Sequence, residues 1–275
     1  MPDLTEIRAT WNSPSGWVAE GDEWSGPWGG TVPLWWGTLM PRIRSFVPTG
    51  TILEIGPGHG RWSQFLKDLC ETIVLVDVAE NCIDACRARF SEAPNIRYHI
   101  GDGRSLDMLD DNSVDFAFSF DSLVHAEADA LEAYARELAR VLRPDGVAFL
   151  HHSNMGAYAR AARTARRVPD RIRRRLTRHG LLVNVYAWRA ETTTAEWFAA
   201  TARSVGLACV GQEKLAWEYG RALTDVISVV TPQGSSRERP NVIVENRHLM
   251  DEARAVARAA RVYEAPPATE RSSST

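Results

Sequence analysis

The chain has 275 residues, 44% hydrophobic and 24% charged, with 32 Lys and Arg against 35 Asp and Glu. That is enough chain for one large domain with its own core, and a net charge of −3 excludes a global polycation, so any anion-binding role must rest on a local patch. No apolar run reaches the about 18 residues of a membrane span, and four cysteines (Cys70, Cys82, Cys86, Cys209) fit neither a disulfide framework nor a zinc knuckle, but suit small buried side chains in a reducing cytoplasm.

Residues 1–50 are rich in Trp, Gly and Pro, and six of the ten Trp (Trp11, Trp17, Trp24, Trp28, Trp35, Trp36) fall in the first 36 positions. The opening MPDLTEIRATW carries early acids and no apolar stretch, so it does not read as a signal peptide. Helical spacing begins only at LWWGTLMPRIRSF, with a break expected near Pro41. The segment has too few aliphatics for a core of its own. It reads as an arm or lid: a cover for the sheet, a stacking platform for sugar rings, or a dimer contact.

From Thr51 strand and helix alternate strictly. TILEIG, TIVLVDV, NIRYHIGDG, SVDFAFSFDS and VAFLHHSN read as strands. GRWSQFLKDLC, ENCIDACRARFSE and DALEAYARELARVL read as helices, and RPDG as a turn. Such alternation predicts an α/β fold, a doubly wound parallel sheet with helices on both faces. Residues 155–190 interrupt it with a basic helical insertion. Nine Arg lie between 160 and 178, offset only by Asp170. The insertion falls at the substrate end of the fold, where guanidinium groups suit a phosphorylated or otherwise anionic acceptor, a membrane surface or RNA; a solvated helical face is the plainer reading. TTAEWFAATARSVGL is a further helix, ended by Gly206. LACVGQEKLAW and LTDVISVVTP read as the last two strands of a domain over residues 51–232, and residues 233–275 as a polar, partly disordered extension.

The chemistry concentrates in Glu54-Ile-Gly56-Pro-Gly58-His-Gly60-Arg61, where the first strand turns into the first helix. Glycines there allow a tight turn and close approach of a ligand. The spacing is not that of a dinucleotide fingerprint, because the sixth position is Arg61 and the third glycine comes one residue early. Glu54 at the strand end repels a pyrophosphate and suits an ammonium group. Asp77 ends the second strand, about 20 residues on, where a carboxylate binds ribose hydroxyls. Asp102, in Gly101-Asp102-Gly103 after the third strand, can accept from an adenine amine.

The ordered set EIGPGHG, VLVD, GDG, VDFAFSFDSLVH and LRPDG resembles the class I S-adenosylmethionine-dependent methyltransferases over roughly residues 50–232. The resemblance implies a seven-stranded sheet with an antiparallel last strand, adenosylmethionine as cofactor, S-adenosylhomocysteine as product and methyl transfer as the reaction. It places Gly56, Gly58 and Gly60 against the methionine moiety, beside the acid Glu54 read above as a partner for an ammonium group, Asp77 on the ribose, Asp102 and Gly103 at the adenine, and Asp121 near the methionine amino group. Pro57 inside the loop is a departure that many members tolerate.

A hydroxyl acceptor needs a base, so the histidines discriminate among acceptors. His125 follows the fourth strand, and His151 and His152 end the fifth. Each could take the proton, although neighbours on a strand face opposite ways. Asp121, His125 and Glu127 do not have a recognised metal spacing, and no metal is expected. The leading expectation is O-methylation of a sugar hydroxyl in a glycan, nucleotide sugar or glycosylated natural product, with a histidine as base. The alternatives are N- or carboxyl-methylation of a small metabolite, a non-catalytic adenosylmethionine-binding scaffold, and an RNA methyltransferase, the last disfavoured because the aromatics and the arginines lie far apart.

Overall fold

The computed structural model describes residues 4–13, 17–216 and 222–263; the tail beyond them, read above as disordered, lies outside the described residues. A helix α1 (Leu4–Trp11) and short helical turns over Asp22–Trp28, Thr31–Leu34 and Met40–Ile43 form the N-terminal arm. The alternating region supplies β1 (Thr49–Ile55), β2 (Cys70–Asp77), α2 (Glu80–Arg89), β3 (Ile96–Ile100), β4 (Val114–Ser119), α3 (Ala128–Val141) and β5 (Leu142–Ser153). The insertion contributes α4 (Ala159–Arg166) and α5 (Asp170–Arg178). Then follow α6 (Ala195–Ser204), β6 (Leu207–Leu215), β7 (Asp225–Pro232), β8 (Val242–Asn246) and α7 (Leu249–Ala260).

The strands form one sheet in the order β3-β2-β1-β4-β5-β7-β6-β8. β1 to β5 are parallel, β7 is antiparallel to both β5 and β6, and β8 pairs parallel with β6. The order reverses at β1 and β4, so a crevice opens beside their carboxyl ends, the place where doubly wound sheets bind ligands. Buried apolar residues fill both faces, as expected for strands covered on each side. β5 begins at Leu142, so the expected RPDG turn belongs to the irregular start of that strand. The expected helix after the glycine loop is short: one turn at Ser63–Leu66 running into a tighter turn at Lys67–Leu69.

One expectation is corrected. The sheet has eight strands rather than seven, because residues 242–246, read as part of a polar extension, pair with β6 along its outer edge. The arm covers the sheet, one of the readings its sequence left open. Trp28, Leu34, Trp35, Leu39 and Ile43 are buried in the same core as Leu249, Met250 and Ala253 of α7. Trp35 stacks on Phe65 at 4.8 Å. Arg42 binds Glu213 of β6 and Glu252 of α7, both at 2.7 Å. The close approach of α7 needs small residues: a Cβ on Gly29 would lie 2.5 Å from Ala257, and one on Gly37 2.9 Å from Val256. The arm's missing aliphatics are thus supplied from the other end of the chain.

Candidate active site

Sequence-expected residues converge on a cavity of about 1030 Å³ at the carboxyl ends of β1, β2 and β4. Gly56, Gly58, Asp77, Gly103 and Asp121 line it, and so does His125. Gly56 has φ +71°, and a Cβ there would lie 1.8 Å from the Ser122 hydroxyl, so only glycine lets the loop pass under the turn after β4. Gly58, at φ +56°, presents its backbone to the Trp17 ring, and its N–H donates to Asp77 Oδ2 at 3.1 Å. Asp77 Oδ1 accepts from the Ala79 N–H at 2.9 Å. Burial pushes the Asp77 carboxyl up to about 6 against these two bonds.

Three expected cofactor residues stand back from the cavity wall. Glu54 is buried behind the loop. Its Oε2 accepts from the Ser63 hydroxyl at 2.6 Å, and its Oε1 has no hydrogen-bond partner among the described residues. Burial, with Asp77 nearby, raises its carboxyl to about 8. Gly60 is a packing residue, since a Cβ there would meet the Phe90 ring at 2.5 Å. Asp102 is exposed and accepts the N–H groups of Arg104 and Ser105 through Oδ1, which shapes the turn and holds its carboxyl below the usual range. A buried, half-satisfied carboxyl and a second raised carboxyl beside a permissive glycine loop fit a cationic ligand with ribose hydroxyls. Charge on that ligand would draw both acids into their ionised forms.

The three histidines separate completely. His151 and His152 pair with Ile227 and Val226 of β7 and face opposite sides of the sheet. His152 is fully buried, 4.4 Å from the Phe198 ring of α6. Its Nδ1 donates to the Ser153 carbonyl, and its Nε2 accepts from the Ser228 hydroxyl at 2.9 Å. Burial drives its pKa down to about 3. With both nitrogens engaged away from the cavity, His152 is a core residue; as one of the three bases expected from sequence, it is corrected on position. His151, also fully buried, accepts the Asp121 N–H at Nδ1 (3.1 Å), so its proton sits on Nε2 and is given to Asp225 at 3.2 Å. It holds the positive-φ turn at Asp121 in place (φ 65°) and does not border the cavity.

His125 does border it. The Trp188 carbonyl can only accept, so the proton of His125 is on Nδ1 and Nε2 keeps its lone pair. Burial, then the nearby Arg189 charge, lower its pKa to about 4, against Asp121. At neutral pH the ring is therefore uncharged, with Nε2 unprotonated.

Several cavity residues escaped sequence reasoning. Tyr186, Trp188 and Arg189 come from the segment after α5, which carried no periodic pattern. Trp11, Trp17 and Trp24 from the arm face them. Trp11 lies 5.4 Å from Trp17, 6.0 Å from Trp24 and 5.9 Å from His125, and Trp17 stacks on His59 at 4.0 Å. Arg189 is buried and bonds both oxygens of Asp225 through Nε, at 2.9 and 3.0 Å. Burial raises the Asp225 carboxyl, but Arg189 and His151 hold it down to about 2. On the arm side Arg61 bonds Asp121 at 3.0 Å.

None of the nine arginines of the run lines the cavity. The cavity's charged lining is mainly acidic, with Glu23, Asp77, Asp121, Glu127 and Asp129. Its two arginines, Arg104 and Arg189, are bound to Asp129 and Asp225. A phosphorylated acceptor therefore finds no free cation on this wall among the described residues. The described residues also contain no cluster of three metal-ligating side chains.

A doubly wound sheet whose switch-point crevice holds a permissive glycine loop, a strand-tip acid and no phosphate cradle is a nucleoside-binding fold of the methyltransferase type. Residues 52–146 match the family described as a methyltransferase domain. Residues 52–146 thus carry a methyltransferase domain, and S-adenosylmethionine is the cofactor of class I methyltransferases. A stretch of 132 residues, 48% of this chain, is 29% identical to the biotin biosynthesis bifunctional protein BioHC of Cellvibrio japonicus (strain Ueda107); the match spans 25% of that protein's length. Among solved structures, the PH0226 protein of Pyrococcus horikoshii OT3 is similar over 71% of this chain and 88% of its own, at 23% identity and a TM-score of 0.52. The DhpI–SAH complex is similar over 83% of this chain and 94% of its own, at 15% identity and a TM-score of 0.50. At those identities the likeness is one of fold.

Proposed function

We propose that this protein transfers the methyl group of S-adenosylmethionine to a hydroxyl of a sugar or sugar-bearing small molecule, with His125 as the base. The observation that carries the reading is the His125 Nε2, left as a free acceptor by the Trp188 carbonyl and standing in an aromatic chamber continuous with the glycine loop. Adenosylmethionine supplies the electrophilic methyl carbon. Asp77 would hold its ribose and Glu54, from behind the loop, would oppose its charge, while Gly56 and Gly58 would admit its methionine end. Indole faces suit the apolar faces of pyranose rings, while Glu127 and Asp129 can accept from ring hydroxyls. His125 then accepts the hydroxyl proton at Nε2 as the oxygen attacks, and the neighbouring Asp121 favours the imidazolium so formed. The acidic lining favours a neutral glycoside over a nucleotide sugar.

The same lining supports a second reading, an amine acceptor held by aromatic faces and carboxylates. Such an acceptor needs no base while its nitrogen is unprotonated. The test is turnover on a panel of neutral glycosides and small amines, with wild type and His125→Ala side by side. Glycoside methylation that falls about 100-fold in the variant supports the first reading. Amine methylation that the variant leaves intact replaces it with the second. Tight adenosylmethionine binding without turnover on any acceptor would point to a scaffold.

A further inference from the structure

The arginines of the insertion divide into two sets. Arg166 is bound to Glu191, and Arg173 and Arg174 to Asp170, with Tyr186 bridging Arg173 and Asp170. The other six, Arg160, Arg163, Arg167, Arg171, Arg175 and Arg178, are exposed and make no side-chain hydrogen bond or ion pair with any described residue. Their spacing is 3, 4, 4, 4, 3. Arg160 and Arg163 on α4, with Arg167 capping its end, lie opposite the buried Ala162 and Ala165, and on α5 the last three lie away from the buried Thr177. Like charges three or four apart repel on a helix, so this pattern weakens the isolated helices and gains nothing inside the fold. Two apolar side chains accompany it: Ile172 is 53% exposed between Arg171 and Arg173, and Leu181 is 63% exposed just past α5.

We infer that the α4–α5 face docks the protein on an anionic lipid bilayer, with the six arginines at the headgroups and Ile172 and Leu181 in the interfacial layer. A stripe of cations with neighbouring aliphatic side chains is the chemistry of an interfacial helix. Single-stranded nucleic acid would also want aromatic faces within the stripe. The nearby rings, Tyr186 and Trp188, instead line the cavity. The inference goes beyond the methyltransferase reading and does not depend on it, because the face and its readout are separate from turnover.

The test is flotation of the full chain with vesicles of phosphatidylcholine alone or mixed with phosphatidylglycerol, across a salt series. Binding is expected only to the anionic vesicles and weakens with salt. R167E/R171E/R175E should lose roughly a hundredfold or more in affinity, since each basic residue near an anionic surface is worth about fivefold. The corresponding triple lysine variant should keep most of the binding, and both should melt like wild type because the three side chains are exposed and unpaired. I172S/L181S should bind at low salt and release at moderate salt. Equal binding to neutral vesicles, no binding to anionic ones, or anionic binding unchanged in the charge-reversed variant would overturn the inference. So would an RNA oligonucleotide bound more tightly than the vesicles through the same arginines.

Discussion

Arg189 grips both carboxylate oxygens of Asp225 in a fully buried pair, one residue beyond the Trp188 carbonyl that fixes the His125 tautomer. The insertion is thereby anchored to the start of β7 at the point where it touches the base. Asp225→Asn keeps the shape but removes the charge that balances Arg189. Breaking such a pair costs about 3–5 kcal/mol of stability. If the pair also positions Trp188, kcat should fall at least tenfold while the affinity for adenosylhomocysteine stays near wild type. A variant that is destabilised with kcat unchanged would confine the pair to a structural role.

Asp77 gives a binding prediction. Asp77→Ala should weaken adenosylmethionine and adenosylhomocysteine by about 1–3 kcal/mol, read by calorimetry, through loss of charged hydrogen bonds. The variant also leaves the Gly58 and Ala79 N–H groups unbonded, so thermal melting should accompany the titration. Unchanged affinity in a folded variant would move the ribose elsewhere in the cavity.

Glu54 makes a linkage prediction of definite sign. Its folded pKa, near 8, lies above the ordinary carboxylate value because of burial and Asp77. Its contribution to stability is therefore fully present below about 4.5 and is lost as pH rises toward 8, because the unfolded chain releases the proton first. Asp77 acts in the same direction up to about 6. A cationic cofactor favours the ionised carboxyls, so its binding should release protons, and its affinity should rise with pH between about 6 and 8. Calorimetry in buffers of different ionisation enthalpy reads the proton count, and Glu54→Gln should reduce it.

The fold core was legible because its signals are local. Buried parallel strands are short apolar runs, and the loop at Gly56 and the acid at Asp77 sit at their carboxyl ends. The faces of His151 and His152 were known to be opposed, but that neither meets the cavity depended on partners from β7. Its antiparallel register puts Ser228 beside His152 and Asp225 beside Ser153. Arg189 and Asp225 are 36 residues apart and meet only through that register. β8 was illegible because Val242, Ile243 and Val244 are each more than half exposed, so the strand shows no alternation. The burial of Trp28 and Trp35 depended on α7, whose contribution lies more than 200 positions away.

Trp24 and Trp188 are 44% and 38% exposed, yet both face the cavity rather than open surface. Large aromatics left partly uncovered in a chamber are surface that a ligand can bury. Truncating either to Ala should raise the acceptor KM about tenfold with a smaller change in kcat, and leave adenosylhomocysteine affinity nearly unaltered. Trp188→Ala keeps the backbone carbonyl and so tests the ring apart from the His125 hydrogen bond. A fall in kcat alone would assign the rings to ordering the arm rather than to holding the acceptor.

His125 and His152 make opposite predictions. His125→Ala should lower kcat on a hydroxyl acceptor by about 100-fold with little loss of stability, because its ring hydrogen bond to the Trp188 carbonyl lies at the cavity wall. His152→Ala should do the reverse. It strips a partner from Ser228 and opens a hole against Phe198, costing about 2–4 kcal/mol, while kcat in the folded fraction stays within a few fold. The pH profile separates them further. The folded pKa of His125 is depressed to about 4 by burial and Arg189. With both substrates saturating, kcat should therefore hold level from pH 8 down through the ordinary histidine range and fall only as pH drops toward 4. A limb near 6.5 would mean that the working base is an exposed histidine or one whose surroundings change on acceptor binding, and His125 would lose the role.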